Sequence, residues 1–262
     1  MYSQFFKVAQ LDEPALQKLI HVLVAIDTQV FTSTLQGKHY LAKLLTRMPH
    51  SQSKDRVIVY YDQDHQPIGF NFILMEKMKS GKRSIYICRP IATFLPQRIG
   101  NQSTMFDAIA AMVRFKLAHP HQQVYFLSFF ASPFAYHLFA SRYPALDLQR
   151  RPLSPKLHQL MQSCMQKWGL HNLAQQQGLY IIHSDALKIS LQNLEKSKHT
   201  RFFIRVNPGF QEGQSLGCIA PITYPNLCVG TIQQVKHLFY RKQHKWKRLR
   251  YIFPLHKTKS LF

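Results

Sequence analysis

Negative charge is what this sequence holds least of. Only 12 Asp and Glu stand against 34 Lys and Arg in 262 residues, a formal net charge of +22 that leaves few carboxylates for acid–base chemistry. Cysteine is almost as scarce. Cys88, Cys164, Cys218 and Cys228 lie too far apart for a metal knuckle or a redox pair, so reduced and mostly buried thiols are expected, which points to a cytoplasmic setting. Long apolar runs are missing too. The longest candidate, Val124 to Ala140, is broken by Ser128, Ser132, Pro133 and His137, so no integral membrane segment is expected. The opening MYSQFFKVAQLDEP has no charged stretch followed by an apolar core, as a secretory signal would need. There is no Gly-x-Ser-x-Gly elbow, no Cys–His arrangement, no internal repeat and no low-complexity tract. His119-Pro120-His121 has no further ligands at zinc spacing, so no metal site is expected.

What is present suffices for a packed core. Apolar residues make up 46% and aromatics 13%, which excludes disorder over most of the chain. The positive charge concentrates at the C-terminus. Glu212 is the last acidic residue, and Arg241-Lys242-Gln243-His244-Lys245-Trp246-Lys247-Arg248-Leu249-Arg250 forms a dense basic run. Such a field draws in polyanions such as nucleic acid or an acidic membrane surface, or serves solubility alone. Trp246 and Tyr251 could stack on bases or pin the tail to the domain.

Periodicity predicts a strand over residues 4–9. Asp12-Glu13-Pro14 then reads as a helix start, followed by Leu16, Leu19, Ile20, Leu23 and Val30 at helical spacing. A shorter helix is expected near Tyr40 to Arg47. Arg56–Tyr61, Gly69–Met75 and Ser84–Phe94 read as three antiparallel strands. Met105, Phe106, Ile109, Met112, Val113 and Leu117 mark an amphipathic helix, and Val124–Phe129 a buried strand. Helices are expected from Ser132-Pro133 to about Arg142 and from Ser154-Pro155 to Gly169. Strands are expected at Leu179–His183, Arg201–Val206 and Leu216–Tyr224. The stretch Leu148 to Pro155 divides the chain into residues 1–150 and residues 151–262, the latter a helix and further strands ending in the basic tail.

The most informative feature is a strand that runs into a polar loop and opens a helix. Unpaired amides and partial positive charge at such a helix start favour phosphate. Gly100 lets the backbone approach an anion, and Arg98 adds a full charge. Gly100, Asn101, Gln102 and Ser103 are the amides that would meet a pyrophosphate; the same residues also suit an ordinary capped turn. With this loop in its element order, the chain from residue 4 to about 143 resembles the GNAT superfamily of acyl-CoA-dependent N-acyltransferases. The signature [Arg/Gln]-x-x-Gly-x-[Gly/Ala] is matched by Gln97 and Gly100, while Gln102 departs from the small residue.

The resemblance implies an α/β (α+β) fold with a mixed, mostly antiparallel central sheet flanked by helices. It implies that Gln97, Arg98, Ile99, Gly100, Asn101, Gln102 and Ser103 hold the pyrophosphate of acetyl-CoA or another acyl-CoA. Backbone groups of Ala92, Thr93 and Phe94 would hold thioester and pantetheine. In that family a tyrosine hydroxyl protonates the leaving thiolate; here Phe139 occupies that position and Tyr143-Pro144 replaces Gly-Phe, so Tyr136 and Tyr143 are the substitutes. Glu76, on the second strand of the meander, is the candidate base; a strand-end charge reaching water is its ordinary alternative, and His65, His119 and His121 are others. The aromatic run Tyr125 to Phe130 reads as core, or as the lining of an acyl channel. The expected function is acyl transfer from acyl-CoA, or an acyl carrier, to an amine. The basic field suits an anionic acceptor or carrier such as tRNA, a ribosomal component or an acyl carrier protein. The alternative is a non-enzymatic basic protein that binds nucleic acid through residues 241–250. A third reading is a peripheral membrane protein held by the basic aromatic tail.

Overall fold

Asp12 opens the first helix as its sequence suggests: the Oδ1 atom accepts a hydrogen bond from the Ala15 amide at 2.9 Å, and Pro14 sits in the first turn. This helix, α1 (Glu13–Val30), buries Leu16, Leu19, Ile20, Leu23, Ile26 and Val30 along one stripe. The computed structural model describes residues 2–31, 56–80, 83–95, 103–174, 176–186 and 197–233. The helix expected near Tyr40 to Arg47, the loop 96–102 and the basic run 241–250 lie outside the described residues.

The strands are β1 (Tyr2–Phe6), β2 (Arg56–Tyr61), β3 (Pro67–Ser80), β4 (Arg83–Phe94), β5 (Gln123–Phe130), β6 (Ile181–His183) and β7 (Gln214–Pro221). They form one sheet in the order β1-β2-β3-β4-β5-β7-β6. Every pairing is antiparallel except β4 with β5. The mixed, mostly antiparallel sheet flanked by helices is therefore present, and β6 and β7 extend it with residues from beyond position 150.

Alternation along β3 assigns the two faces. Phe70, Phe72 and Leu74 join Val57 and Val59 under α1. Full burial of each phenylalanine contributes about 2–3 kcal/mol. On the other face α2 (Ser103–Ala118) packs Phe115 on Tyr86 with ring centroids 4.8 Å apart. Leu117, read as part of that helix's apolar stripe, is instead 64% exposed, while Met112 and Phe115 are buried. After β5, α3 (Pro133–Ala140) is capped by Ser132, whose Oγ accepts from the Ala135 amide at 3.1 Å. Helix α4 (Pro155–Trp168) ends at Gly169, whose φ of +67° supplies the left-handed cap.

The strand expected over 4–9 ends at Phe6, and the one expected over 216–224 ends at Pro221; a third segment changes type. Residues 201–206, expected as a strand, belong to helix α5 (Lys198–Val206). Ser197 and Thr200 cap its start reciprocally, and His199, Phe202 and Phe203 are buried at helical spacing while Arg201 and Arg205 face water. The aromatic and β-branched content suggested a strand, but the period is 3.6.

Candidate active site where two parallel strands part

The β4–β5 ladder runs from Ile85 opposite Gln123 to Cys88 opposite Phe126 and stops there, although β4 continues to Phe94 and β5 to Phe130. Among the described residues, β4 past Cys88 is paired only with β3, and β5 past Phe126 only with β7. The two strands thus open a wedge at their C-terminal ends. Pro90 lies two residues beyond the last paired position. A proline inside a central strand is tolerated where the ladder has ended, because it lacks the N–H a second neighbour would require. Ser128 reaches across the start of the gap, its Oγ donating to the Pro90 carbonyl at 3.4 Å. An extended ligand with alternating amides could lie between such strands as a further strand does.

The far end of β4 is built by close packing. Gly69 stands opposite Phe94, and a Cβ placed there would lie 2.5 Å from the ring, so only glycine lets Phe94 fold across β3. The Phe94 ring meets Tyr60 at 5.0 Å, and the Tyr60 hydroxyl donates to Asp107 of α2 in a short hydrogen bond. Burial pushes the Asp107 carboxyl up from its ordinary value, while the Tyr60 bond and the Arg114 charge act the other way.

On the α1 face, Thr93 Oγ1 donates to Asp27 Oδ1 at 3.3 Å. Burial raises the Asp27 carboxyl from 3.8 to about 6; the Thr93 bond opposes the rise and the charge of Asp185 adds to it. A carboxyl in that range exchanges protons near neutral pH.

Of the residues expected to carry the site, Ala92, Thr93 and Phe94 lie on the part of β4 that pairs with β3 but not with β5, with Ala92 exposed and Thr93 buried. Gln97, Arg98, Ile99, Gly100, Asn101 and Gln102 lie outside the described residues; Ser103 is the first residue of α2, which begins directly after that loop. Glu76 stands opposite Ile87, on the paired part of β4. Its Oε2 accepts from Trp168 Nε1 at 2.9 Å and its Oε1 from Lys167 Nζ at 2.5 Å, so α4 holds it away from the wedge. Tyr136 is fully buried against Phe202 and Phe203, its hydroxyl oxygen accepting from the Leu148 amide at 3.2 Å. The Tyr143 hydroxyl donates to the Pro221 carbonyl at 3.3 Å. Burial pushes both phenols above their ordinary range. Phe139, at the position the resemblance gives to tyrosine, packs on Phe126 and Phe130 with centroids 5.4 Å away in each case.

Asp27 and Asp107 were not foreseen. Neither is flagged by its neighbours in sequence, because the partners that define them, Thr93 and Tyr60, are 66 and 47 residues away. Pro90, inside a strand that continues to Phe94, was the available signal for the parting.

No family model matches the chain, and no curated protein matches it by sequence. Among solved structures, it is similar to the acetyltransferase of GNAT family from Streptococcus pneumoniae, at 12% identity over 84% of this chain and 100% of that one, with a TM-score of 0.37. It is also similar to a GNAT superfamily phosphinothricin acetyltransferase from Sinorhizobium meliloti in complex with AcCoA, at 8% identity, 85% and 89% coverage and a TM-score of 0.34. A conserved protein from Enterococcus faecalis V583, described as a probable N-acyltransferase, matches at 10% identity and a TM-score of 0.35 over 55% of this chain. The match spans about a third (32%) of that protein's length. Likenesses this distant leave the functional reading to the strand register and the side chains.

Proposed function

We propose that the chain is a GNAT-like acyltransferase that passes an acyl group from acyl-CoA to an amine. The observation that supports this most is the parting of β4 and β5 after Cys88 and Phe126. A pantetheine arm carries amides along an extended chain, which suits the open edge at Ala92–Phe94. The amides of residues 97–103 then take the pyrophosphate, with Arg98 completing the charge. Acyl transfer requires the amine to lose a proton before or during attack on the thioester carbonyl. Asp27, beside Thr93 at the same end of β4, is the carboxylate best positioned to receive it. The amine nitrogen bonds to the carbonyl carbon, the carbon–sulfur bond breaks, and the thiolate leaves with a proton from Tyr143, Tyr136 or water. A tRNA, a ribosomal component or an acyl carrier protein remains the acceptor or carrier that the charge of +22 suits.

A second reading, a non-enzymatic binding protein on this scaffold, is favoured by one observation: the tyrosine position is Phe139, packed into the core. Thermal melting separates the two. With acetyl-CoA or a long-chain acyl-CoA the enzyme reading expects a rise of several degrees that Gly100→Glu abolishes, because a ligand bound only to the native state stabilises it. No rise with either coenzyme overturns that reading.

A further inference from the structure

The opposite end of the sheet, where β4 and β5 begin, takes no part in the chemistry proposed above. There the β3–β4 hairpin and the turn between α2 and β5 enclose a cleft of about 320 Å³, lined by Arg83, Ser84, His121, Gln122 and Gln123. All five side chains offer N–H or O–H donors, and none is acidic. Lys116 lies behind them, 8% exposed, its Nζ donating to the carbonyls of Pro120 at 2.8 Å and Gln122 at 2.7 Å. Among the described residues Lys116 is in no ion pair. Its charge is solvated by two neutral carbonyls, one of them from the cleft residue Gln122, and lies over the Tyr224 ring at 5.6 Å, so low dielectric extends its reach toward the cleft.

The ladder adds more positive charge. Lys79 stands opposite Ser84 and Lys77 opposite Tyr86, both lysines exposed and on the same side of the strand, about 6.6 Å apart. Glu76, the one carboxylate on either hairpin strand, is already held by Lys167 and Trp168. Beside the lysines the Tyr86 ring lies parallel to the His119 imidazole, centroids 6.3 Å apart and planes 10° from parallel.

We propose that this end of the molecule binds single-stranded nucleic acid. A backbone phosphate occupies the cleft against Arg83, Ser84 and the Gln122–Gln123 amides. The next phosphates follow Lys79 and Lys77, and a base stacks at the Tyr86–His119 pair. Cationic donors in a row beside flat rings are what a single strand requires: charge along the backbone and π-faces for the bases. A lipid headgroup would instead need apolar side chains around the cleft to enter the acyl region, and its lining has none. The site is built of residues other than the basic run 241–250 and lies at the opposite end of the sheet from the wedge.

The test is fluorescence anisotropy of the full chain with a labelled single-stranded RNA of about 15 nucleotides, at about 50 and about 200 mM salt. K79E/R83E is compared with R151E/K156E, which changes the net charge equally on residues exposed elsewhere. The expected result is a Kd raised at least about tenfold and a shallower salt dependence for K79E/R83E, with R151E/K156E within about twofold of the parent. Should K79E/R83E melt earlier than the parent, the neutral pair K79Q/R83Q replaces it and must weaken binding at least about threefold. Equal weakening in the two charge-matched variants, no weakening in either, or no binding by the parent overturns the proposal. So does capture of phosphatidylserine vesicles that K79E/R83E abolishes while RNA binding is unchanged.

Discussion

Thr93 and Asp27 join the end of β4 to the end of α1 through a hydroxyl–carboxylate bond of 3.3 Å. The same burial that makes this contact raises the Asp27 carboxyl from 3.8 to about 6. Between those values the folded chain holds a proton the unfolded chain has released, so stability falls as pH rises through that window. Asp27→Asn removes the titration. Its melting temperature relative to the parent is expected to climb from pH about 4 to about 6 and then level off. If Asp27 receives the proton of the amine, the same variant loses about 100-fold in rate. The parent's rate rises through pH about 6, a rise the variant lacks. A parallel pair of melting curves across that range removes the basis for both expectations.

Glu76 offers the contrasting case. Its bonds to Trp168 and Lys167 tie β3 to α4, and the Arg89 guanidinium lies over the Trp168 ring at 4.5 Å. The lysine is 44% exposed, so screening keeps that pair below about 1 kcal/mol, and the indole bond contributes about 1 kcal/mol. Glu76→Gln should therefore lower stability by about 1 kcal/mol in urea titration. Its rate of acyl transfer should stay within about threefold of the parent. A loss of rate as large as that of Asp27→Asn would move the base to Glu76.

How much of this was legible beforehand depended on the range of the interactions. Local chemistry could be read directly: the Asp12 cap, the Ser132-Pro133 start and the Gly169 stop all stand where short-range rules put them. The β-branched and aromatic runs at Arg56–Tyr61 and Val124–Phe129 read as strands and are strands, while β3 runs five residues past its expected end at Met75 because Lys77 and Lys79 pair on an open hairpin. Residues 201–206 were misread because phenylalanine and isoleucine suit either structure, and the deciding signals were the Ser197–Thr200 cap and the exposed arginines. The candidate site was half visible. The backbone platform expected at Ala92–Phe94 is what the resemblance implies, but the Asp27 carboxyl is raised chiefly by burial, with Thr93 opposing and Asp185 adding to the rise, and no local window contains that burial or those contacts.

Gly69 gives a test of the platform itself. The 2.5 Å separation between a Cβ there and the Phe94 ring is below any real contact, so Gly69→Ala drives the ring off Tyr60 and moves the end of β4. The expected cost is about 1–3 kcal/mol, with a weaker melting response to acetyl-CoA. Adding Phe94→Ala to Gly69→Ala removes the clash, so the double variant should be more stable than the sum of the two single changes predicts. Strict additivity would show that the two residues do not touch.

Tyr136 and Tyr143 differ in what their hydroxyls leave behind. Tyr136→Phe strips the acceptor from the Leu148 amide, and a buried N–H without a partner costs about 1–3 kcal/mol. Tyr143→Phe takes a donor from the Pro221 carbonyl, which still accepts from Asn226 Nδ2 at 3.0 Å, so the loss stays below about 1 kcal/mol. The order of the two variants in thermal melting is thus fixed by which partner is orphaned, and it should hold at any pH well below the raised phenol range. Rate separates structure from chemistry. A variant in which kcat falls tenfold or so while the melting temperature is unchanged has lost the proton donor to the thiolate. If Tyr143→Phe behaves so and Tyr136→Phe merely melts earlier, the proton comes from Tyr143; if both keep their rate, water protonates the leaving group.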